Sequence, residues 1–353
     1  MTSGEIRELA RGCGFELAGV AAVGASGVPE ADRSRYAAWV SAGFAGEMAY
    51  LEGRRAEVRA DPRLLLPSAR SIVCVGKLYN TPWPYSACYT QPELAWIARY
   101  AWGEDYHPVL RRGLKRLAAL LAKRAGIAFE FRIAIDTAPL LERTFAHRAG
   151  LGWIGKNTCL INQPLGSWFF LGELLVSLDL EPDSPPPDRC GSCRRCIDAC
   201  PTSAIVPSPD GAGYAVDSRL CISYFTIELR GAIPEVLRAG IGGHVFGCDI
   251  CQDVCPWNRK APVTADSVFE PRPEGPPPAP PLARLAEIDE AAFHALFRST
   301  PVTRARYSGF LRNVAVAMGN RGLPEFRLPL ERLAQSEDAV IAGHAQWALE
   351  RVG

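Results

Sequence analysis

Eight of the twelve cysteines in this chain of 353 residues fall between positions 190 and 255, in runs whose spacing encodes chemistry. Cys190-x2-Cys193-x2-Cys196-x3-Cys200-Pro201 has the bacterial ferredoxin spacing, in which three close thiolates hold one [4Fe–4S] cubane and the fourth reaches the other. Cys248-x2-Cys251-x3-Cys255-Pro256 follows, with the isolated Cys221 between the runs. Two cubanes require eight thiolates. One set is then Cys190, Cys193, Cys196 and Cys255, and the other is Cys200, Cys221, Cys248 and Cys251. Paired C-x2-C units also build tetrahedral zinc sites, though zinc motifs seldom use the full ferredoxin run. The scattered Cys13, Cys74, Cys88 and Cys159 read as small buried hydrophobes.

Two adjacent clusters make a short electron path, and some 180 residues precede them. An electron carrier would have no use for so many, so this first part should consume the electrons. Asp136 follows the strand-like FEFRIAI (129–135), at a strand end where ligands bind in open α/β sheets. Beside a bulky cofactor its carboxyl pKa would rise, suiting a general acid. Taken alone, capping of the helix near Pro139 is the better reading. RYAWGEDYHPVL (99–110) places Tyr106 and His107 before a helix, where they could orient substrate or relay a proton. Simple capping by Asp105 competes with that reading. GLGWIGKN (150–157) is a tight loop without the dinucleotide fingerprint. In RSTPVTRARYSGFLRN (298–313), Arg298, Arg304, Arg306 and Arg312 flank Tyr307 and Phe310, a combination suited to RNA. A solvated helix face would look the same.

The elements that must position these groups are legible in outline. SIVCVG (71–76) and FEFRIAI (129–135) read as strands, LGELLVSLDL (171–180) as another apolar stretch before a break, and HPVLRRGLKRLAALLAKRAG (107–126) as an amphipathic helix stopped by Gly126. This alternation is an α/β layout. PDSPPPD (182–188) marks a domain boundary, and FEPRPEGPPPAPPLA (269–283) an extended proline-rich linker. The tail is expected to be helical at 284–297, 307–319, 324–335 and 338–351. Within it, LRNVAVAMGN (311–320) faintly repeats as AGHAQWALER (342–351). A helix-pair repeat and two unrelated Ala-rich helices explain this equally well.

Thirty-nine basic side chains nearly cancel 38 acidic ones, so net charge gives no vote for nucleic acid. Neither a long apolar span nor a secretory signal is visible, so a cytoplasmic protein without membrane attachment is expected. In that compartment, cysteine usage of this kind points to metal or catalysis.

In order along the chain, RADPRLLLPSARSI (59–72), RYAWGEDYH (99–107), IDTAPLLERTFAHRAGLGWIGKNT (135–158), CGSCRRCIDACPTSAI (190–205), CISYFTIELRG (221–231) and GCDICQDVCPWN (247–258) resemble the epoxyqueuosine reductase family. The resemblance implies a cobalamin-binding α/β or α+β domain (1–181), nitroreductase-like and of reductive-dehalogenase type. A ferredoxin-like module with two [4Fe–4S] clusters (182–268), the 269–283 linker and a HEAT-like helical tail (284–353) would follow. It implies reduction of epoxyqueuosine in the tRNA anticodon loop to queuosine, with electrons from an external low-potential donor and a monomeric enzyme. Asp136 matches the family's proton donor. Arg59, Lys156 and Ser223, with Tyr106 and His107, fall in segments that line the cofactor or substrate. The long Cys200–Cys221 gap, which holds an extra Gly-rich turn, departs from the family pattern. A reductive dehalogenase of small molecules and a non-enzymatic two-cluster carrier are the competing readings. The first predicts turnover of a halogenated aromatic, the second no bound corrin.

Overall fold

The computed structural model describes residues 1–24 and 27–353. Four strands form the central sheet in the spatial order Leu17–Ala22, Ser71–Leu78, Phe169–Val176 and Phe131–Ala134, and every neighbouring pair is antiparallel. The α/β layout expected from the alternation is therefore corrected to α+β. The expected strands exist, but their connections return antiparallel and the switch-point argument for Asp136 does not apply.

Ser71–Leu78 is buried along its whole length because both sheet faces are covered. Val73 and Val75 point into a core shared with Leu110, Leu114, Leu117 and Leu121 of the Tyr106–Ala125 helix. Ile72, Cys74 and Leu78 point the other way, toward Phe145 and Ala146 of the Glu142–Arg148 helix. Tyr106–Ala125 starts where the Asp105 carboxylate accepts the His107 N–H at 3.0 Å and ends at Gly126, whose φ of 67° is left-handed. Its four leucines recur at helical spacing, and each contributes about 1.5–3 kcal/mol on burial.

The expected boundary at 182–188 is tied down. Asp183 accepts from Ser3 Oγ at 2.6 Å and from the Val20 N–H at 2.9 Å. The 269–283 linker is likewise bound to the body: Ala95 and Ile97 donate their N–H groups to the Pro280 and Pro278 carbonyls at 2.8 and 3.2 Å. Trp96–Ile97 also pairs in parallel with His244–Phe246. A stretch from the first part of the chain thus runs through the core of the cysteine-bearing part. There Arg99 is buried, donating to Thr81, Trp83 and Pro84 with its guanidinium 4.6 Å from the Trp102 ring centroid.

The tail is helical at Leu282–Ala286, Glu290–Leu296, Arg306–Arg321, Arg327–Ala334 and Ala339–Leu349, so the expected first helix is two shorter ones. The two Ala-rich segments pack on each other: a Cβ on Gly319 would lie 2.8 Å from the Ala348 Cα. Two members of the expected RNA-facing patch are corrected here, while Arg298, Arg304 and Arg306 are exposed. Phe310 and Arg312 are buried, and Arg312 donates to the Leu229 and Gly231 carbonyls at 2.9 and 2.7 Å. Asn313 beside it donates to Thr226 and Val245, both at 2.9 Å. Burying a guanidinium requires such partners, so Arg312 clamps the tail to the cysteine-bearing part and does not face phosphate. No helix among the described residues is long and apolar enough to cross a membrane.

Candidate active site and cysteine centres

Asp136 sits just beyond the Phe131–Ala134 strand with φ 44°, in the left-handed region. Its backbone N–H donates to Glu142 Oε1 at 2.5 Å. Its carboxylate Oδ2 lies 3.2 Å from His107 Nε2, and Asp105 Oδ1 lies 2.7 Å from His107 Nδ1. The imidazole is thus bracketed by two carboxylates. Tyr106 stacks on His107 and on Phe170, with centroids 4.2 Å apart in both cases.

Asp136 and Tyr106 open onto a cleft of about 440 Å³. Tyr50, Arg55, Arg59, Tyr100, Ile227, Glu228 and Arg304 also line it, with Arg304 over the Tyr50 ring. Ile227 and Glu228 belong to the π-helical turn Tyr224–Glu228, three residues past Cys221, and Arg304 comes from the tail. Arg304 holds Glu228 in a two-point ion pair at 2.6 and 3.0 Å. Three stretches far apart in sequence therefore meet here.

Burial alone would lower the His107 pKa, but its hydrogen bonds to Asp105 and Asp136 outweigh that and raise it to about 9. Burial alone would raise Asp136, yet the bond to His107 and its charge hold the carboxyl below the usual range. In the open cleft Asp136 is an anion paired to an imidazolium; the raised value expected of it belongs to a cleft filled by a bulky cofactor. Burial keeps the Tyr100 and Tyr106 phenols protonated.

The cysteines gather in the two expected sets. Cys190, Cys193, Cys196 and Cys255 line a cavity of about 300 Å³ together with Lys156, Asn157 and Trp257. Burial, then the neighbouring Cys255, Cys190 and Cys193, pushes Cys196 up to about 11. In the second set burial, followed among its causes by Cys221 and Cys200, pushes Cys248 well up. Thiols that raise one another's pKa keep their protons until a metal displaces them, and such displacement fits a thiolate-bound cluster. Among the described residues no three His, Cys, Asp or Glu side chains converge as ligands of a single ion would.

Two family models match the chain. Residues 189–258 match the "4Fe-4S double cluster binding domain", a span that contains all eight clustered cysteines. Residues 59–137 match "Epoxyqueuosine reductase QueG, DUF1730", a span that contains Arg59, Tyr106, His107 and Asp136. The epoxyqueuosine reductase of Xanthomonas campestris pv. campestris is 39% identical over 351 residues, covering 99% of this chain and 95% of the relative. This chain belongs to the epoxyqueuosine reductase family. The Escherichia coli K12 member is 40% identical over 316 residues, covering 88% of this chain and 80% of the relative. The solved Streptococcus thermophilus epoxyqueuosine reductase superposes with a TM-score of 0.86 at 30% identity, covering 99% of this chain and 89% of that one. An epoxyqueuosine reductase solved with an epoxyqueuosine-modified tRNA-Tyr stem loop gives 0.78 at 28% identity, covering 99% and 98%. The Bacillus subtilis epoxyqueuosine reductase, solved with its catalytic aspartate loop swung out of the active site, gives 0.76 at 28%, also covering 99% and 98%.

Arg59, Tyr106, His107 and Asp136 come together in the cleft of this epoxyqueuosine reductase family member. Arg59 is 5% exposed and donates to the Tyr50 and Arg55 carbonyls at 2.9 and 3.2 Å. Lys156 does not join them. It donates to the Gly191 and Cys193 carbonyls at 2.7 and 2.9 Å, so it braces the first cysteine set. Ser223 sits beside the Cys221 thiol, at the start of the turn that walls the cleft. Cys13 and Cys74 are buried as expected, but Cys88 is exposed, and the half-buried Cys159 lies beside Cys251 of the second set. The Gly-rich stretch between Cys200 and Cys221 folds as a hairpin of Ile205–Pro207 and Tyr214–Val216. Tyr50, Arg55, Glu142, Glu173 and Glu228 carried no local signal. Arg304 was noted only as one of a run of arginines.

Proposed function

We propose that this chain reduces the epoxide of epoxyqueuosine in a tRNA anticodon loop to the alkene of queuosine, with Asp136 as the proton donor. The observation that carries the reading is the cleft itself. It places Asp136, paired with His107, in one lining with Ile227 and Glu228 of the turn that follows Cys221 of the second cysteine set. The net change is two electrons and two protons added, with the epoxide oxygen lost as water.

Cys190, Cys193, Cys196 and Cys255 would hold one [4Fe–4S] cluster, and Cys200, Cys221, Cys248 and Cys251 the other. The cleft lining combines the half-buried phenols of Tyr100 and Tyr106, the aliphatic Ile227 and guanidinium groups, and so suits an amphipathic cofactor with amide arms. Arg59, Tyr106 and His107, with the turn at Ser223, would hold cobalamin there. When bound, the clusters supply single electrons and the corrin supplies a cobalt centre that can accumulate two.

The residues of this chain manage the proton. Asp136 must be protonated to act as an acid, and His107 is a charged donor 3.2 Å away. Filling the cleft removes water from Asp136 and raises its pKa, the direction that transfer from the imidazolium needs. Asp105 holds His107 in orientation from its other nitrogen. Tyr100 and Tyr106, kept neutral, are hydrogen-bond donors to an oxygen that develops charge as its bond to carbon breaks.

An external low-potential donor would load the clusters of a cytoplasmic monomer. The division at 181, 268 and 283 and the HEAT-like character of the tail belong to the same reading, supported by the pairing of the two Ala-rich helices. The test is anaerobic reconstitution with iron, sulfide and cobalamin, followed by nucleoside analysis of tRNA bearing epoxyqueuosine. Queuosine formation supports the reading. Bound clusters with no queuosine and turnover of a halogenated aromatic would replace it.

A further inference from the structure

Behind Asp136 the sheet buries a carboxyl group that the proposed reaction does not touch. Glu173 lies on the Phe169–Val176 strand, paired across the sheet with Cys74 on one side and Ala134 on the other. It is 0% exposed, and neither carboxyl oxygen has a hydrogen-bond donor. Its polar neighbour is the carboxyl of Glu142, from the first turn of the Glu142–Arg148 helix. Glu173 is cut off from water and Glu142 beside it is partly buried, so a second negative charge is disfavoured there and a proton shared between the two carboxyl groups relieves it.

Glu142 also accepts the Asp136 N–H, at 2.5 Å, while Asp136 holds its left-handed φ of 44°. A non-glycine residue persists in that region only where its surroundings enforce it. The same bend places the Asp136 carboxylate against His107.

We infer that Glu142 is a positioning residue for Asp136: with Glu173 it forms a carboxyl pair sharing one proton, and its ionised oxygen latches the Asp136 loop in the cleft-facing conformation. The inference rests on the assignment of Asp136 as proton donor, but the latch is measurable without turnover.

Burial, then the Asp136 charge, raises Glu142 to about 7, and burial followed by the Glu142 charge raises Glu173 well above the carboxylate range. Above pH 7 Glu173 therefore keeps the shared proton and Glu142 carries the charge. As pH falls through 7, Glu142 takes up a second proton, its oxygen becomes a weaker acceptor and the latch loosens. The charged and titratable groups that face the pair are Asp136 at the strand end, Arg143 on the helix, Arg59 and Tyr106 of the cleft lining, and Cys74 on the adjacent strand.

The experiment is amide hydrogen exchange of Asp136 in the full-length, cluster-loaded chain between pH 6 and 8, corrected for intrinsic rates, with turnover and tRNA affinity measured alongside. In the natural chain, corrected exchange should quicken about tenfold toward pH 6, because a neutral acceptor replaces a charged one. Glu142→Gln should show the faster rate at every pH. Glu142→Ala should quicken exchange further and lower kcat by about 10²-fold, with tRNA affinity and the cluster spectrum unchanged. Glu173→Gln, whose amide can donate to Glu142 without titrating, should keep the latch closed and remove the pH response. Unchanged exchange and an intact pH response in Glu142→Gln would overturn the latch, even if Glu142→Ala fails to fold. Should Asp136→Asn retain turnover while the exchange results hold, the donor assignment fails and the latch stands.

Discussion

The cysteine centres and the Asp136 cleft solve opposite electrostatic problems. In the first, like groups crowd: burial and neighbouring thiols push Cys196 to about 11 and Cys248 well up, so the thiolate state is disfavoured until a metal compensates it. In the second, unlike groups meet: the His107 imidazolium bridges Asp105 and Asp136, and each partner stabilises the other's charge without a ligand. The first region is a site only when filled, whereas the second is organised by the polypeptide alone. Metal removal should therefore damage one and spare the other.

The largest expected effect tests that division directly. Chelation of iron should abolish turnover and expose residues 190–200 and 248–255 to exchange, while the four-stranded sheet stays protected. Loss of protection throughout the sheet would show that the two regions are not independent. Cys255→Ser should bring iron from about eight to about four atoms per chain, with the second cluster's spectrum retained. Next in size, Asp136→Asn should keep both clusters and lose about 10²–10⁴-fold in turnover. Turnover near that of the natural chain would return Asp136 to a local structural role.

Arg312→Met sharpens the contrast from the tail. It strands the carbonyls of Phe225, Leu229 and Gly231 and should cost about 2–4 kcal/mol in denaturant unfolding. The salt dependence of tRNA binding should stay as it is, because Arg312 is buried. A reduced salt slope would restore it to the phosphate-facing role.

The smallest effect is the titration of His107. Its folded pKa of about 9 lies above the ordinary 6.5, so its ion pair stabilises fully below about pH 6.5 and fades as pH rises through 9. Asp136 is lowered, so its share is present above its ordinary 3.8 and fades as pH falls below that. Asp136→Asn should move the imidazole resonance midpoint down from about 9, read by NMR. An unmoved midpoint would assign the whole shift to Asp105.

Several expectations failed where a local pattern had more than one three-dimensional solution. Alternating strands and helices are compatible with parallel or antiparallel order, and here the strands returned antiparallel. Proline-rich stretches read as linkers, yet Pro278 and Pro280 accept hydrogen bonds from the body, because proline lacks a donor but keeps its carbonyl. Arginines flanking aromatic residues read as a surface for RNA. Arg312 instead lies where backbone carbonyls converge, a position no spacing rule reveals.

The sequence by itself determined the two cysteine sets and the helix that Gly126 stops, while Asp136 stood out only through the family resemblance. Those first signals are short-range: thiolate spacing, leucines at helical spacing and a terminating glycine are written within a few positions of one another. Only the tertiary structure decided that Lys156 serves the cysteines, that Arg304 and Glu228 close the cleft, and that Glu142 and Glu173 stand behind Asp136. Such groups are 30 or more positions apart in several cases, and the free energy that matters to them, desolvation of a charge beside another charge, depends on distance in space and not along the chain.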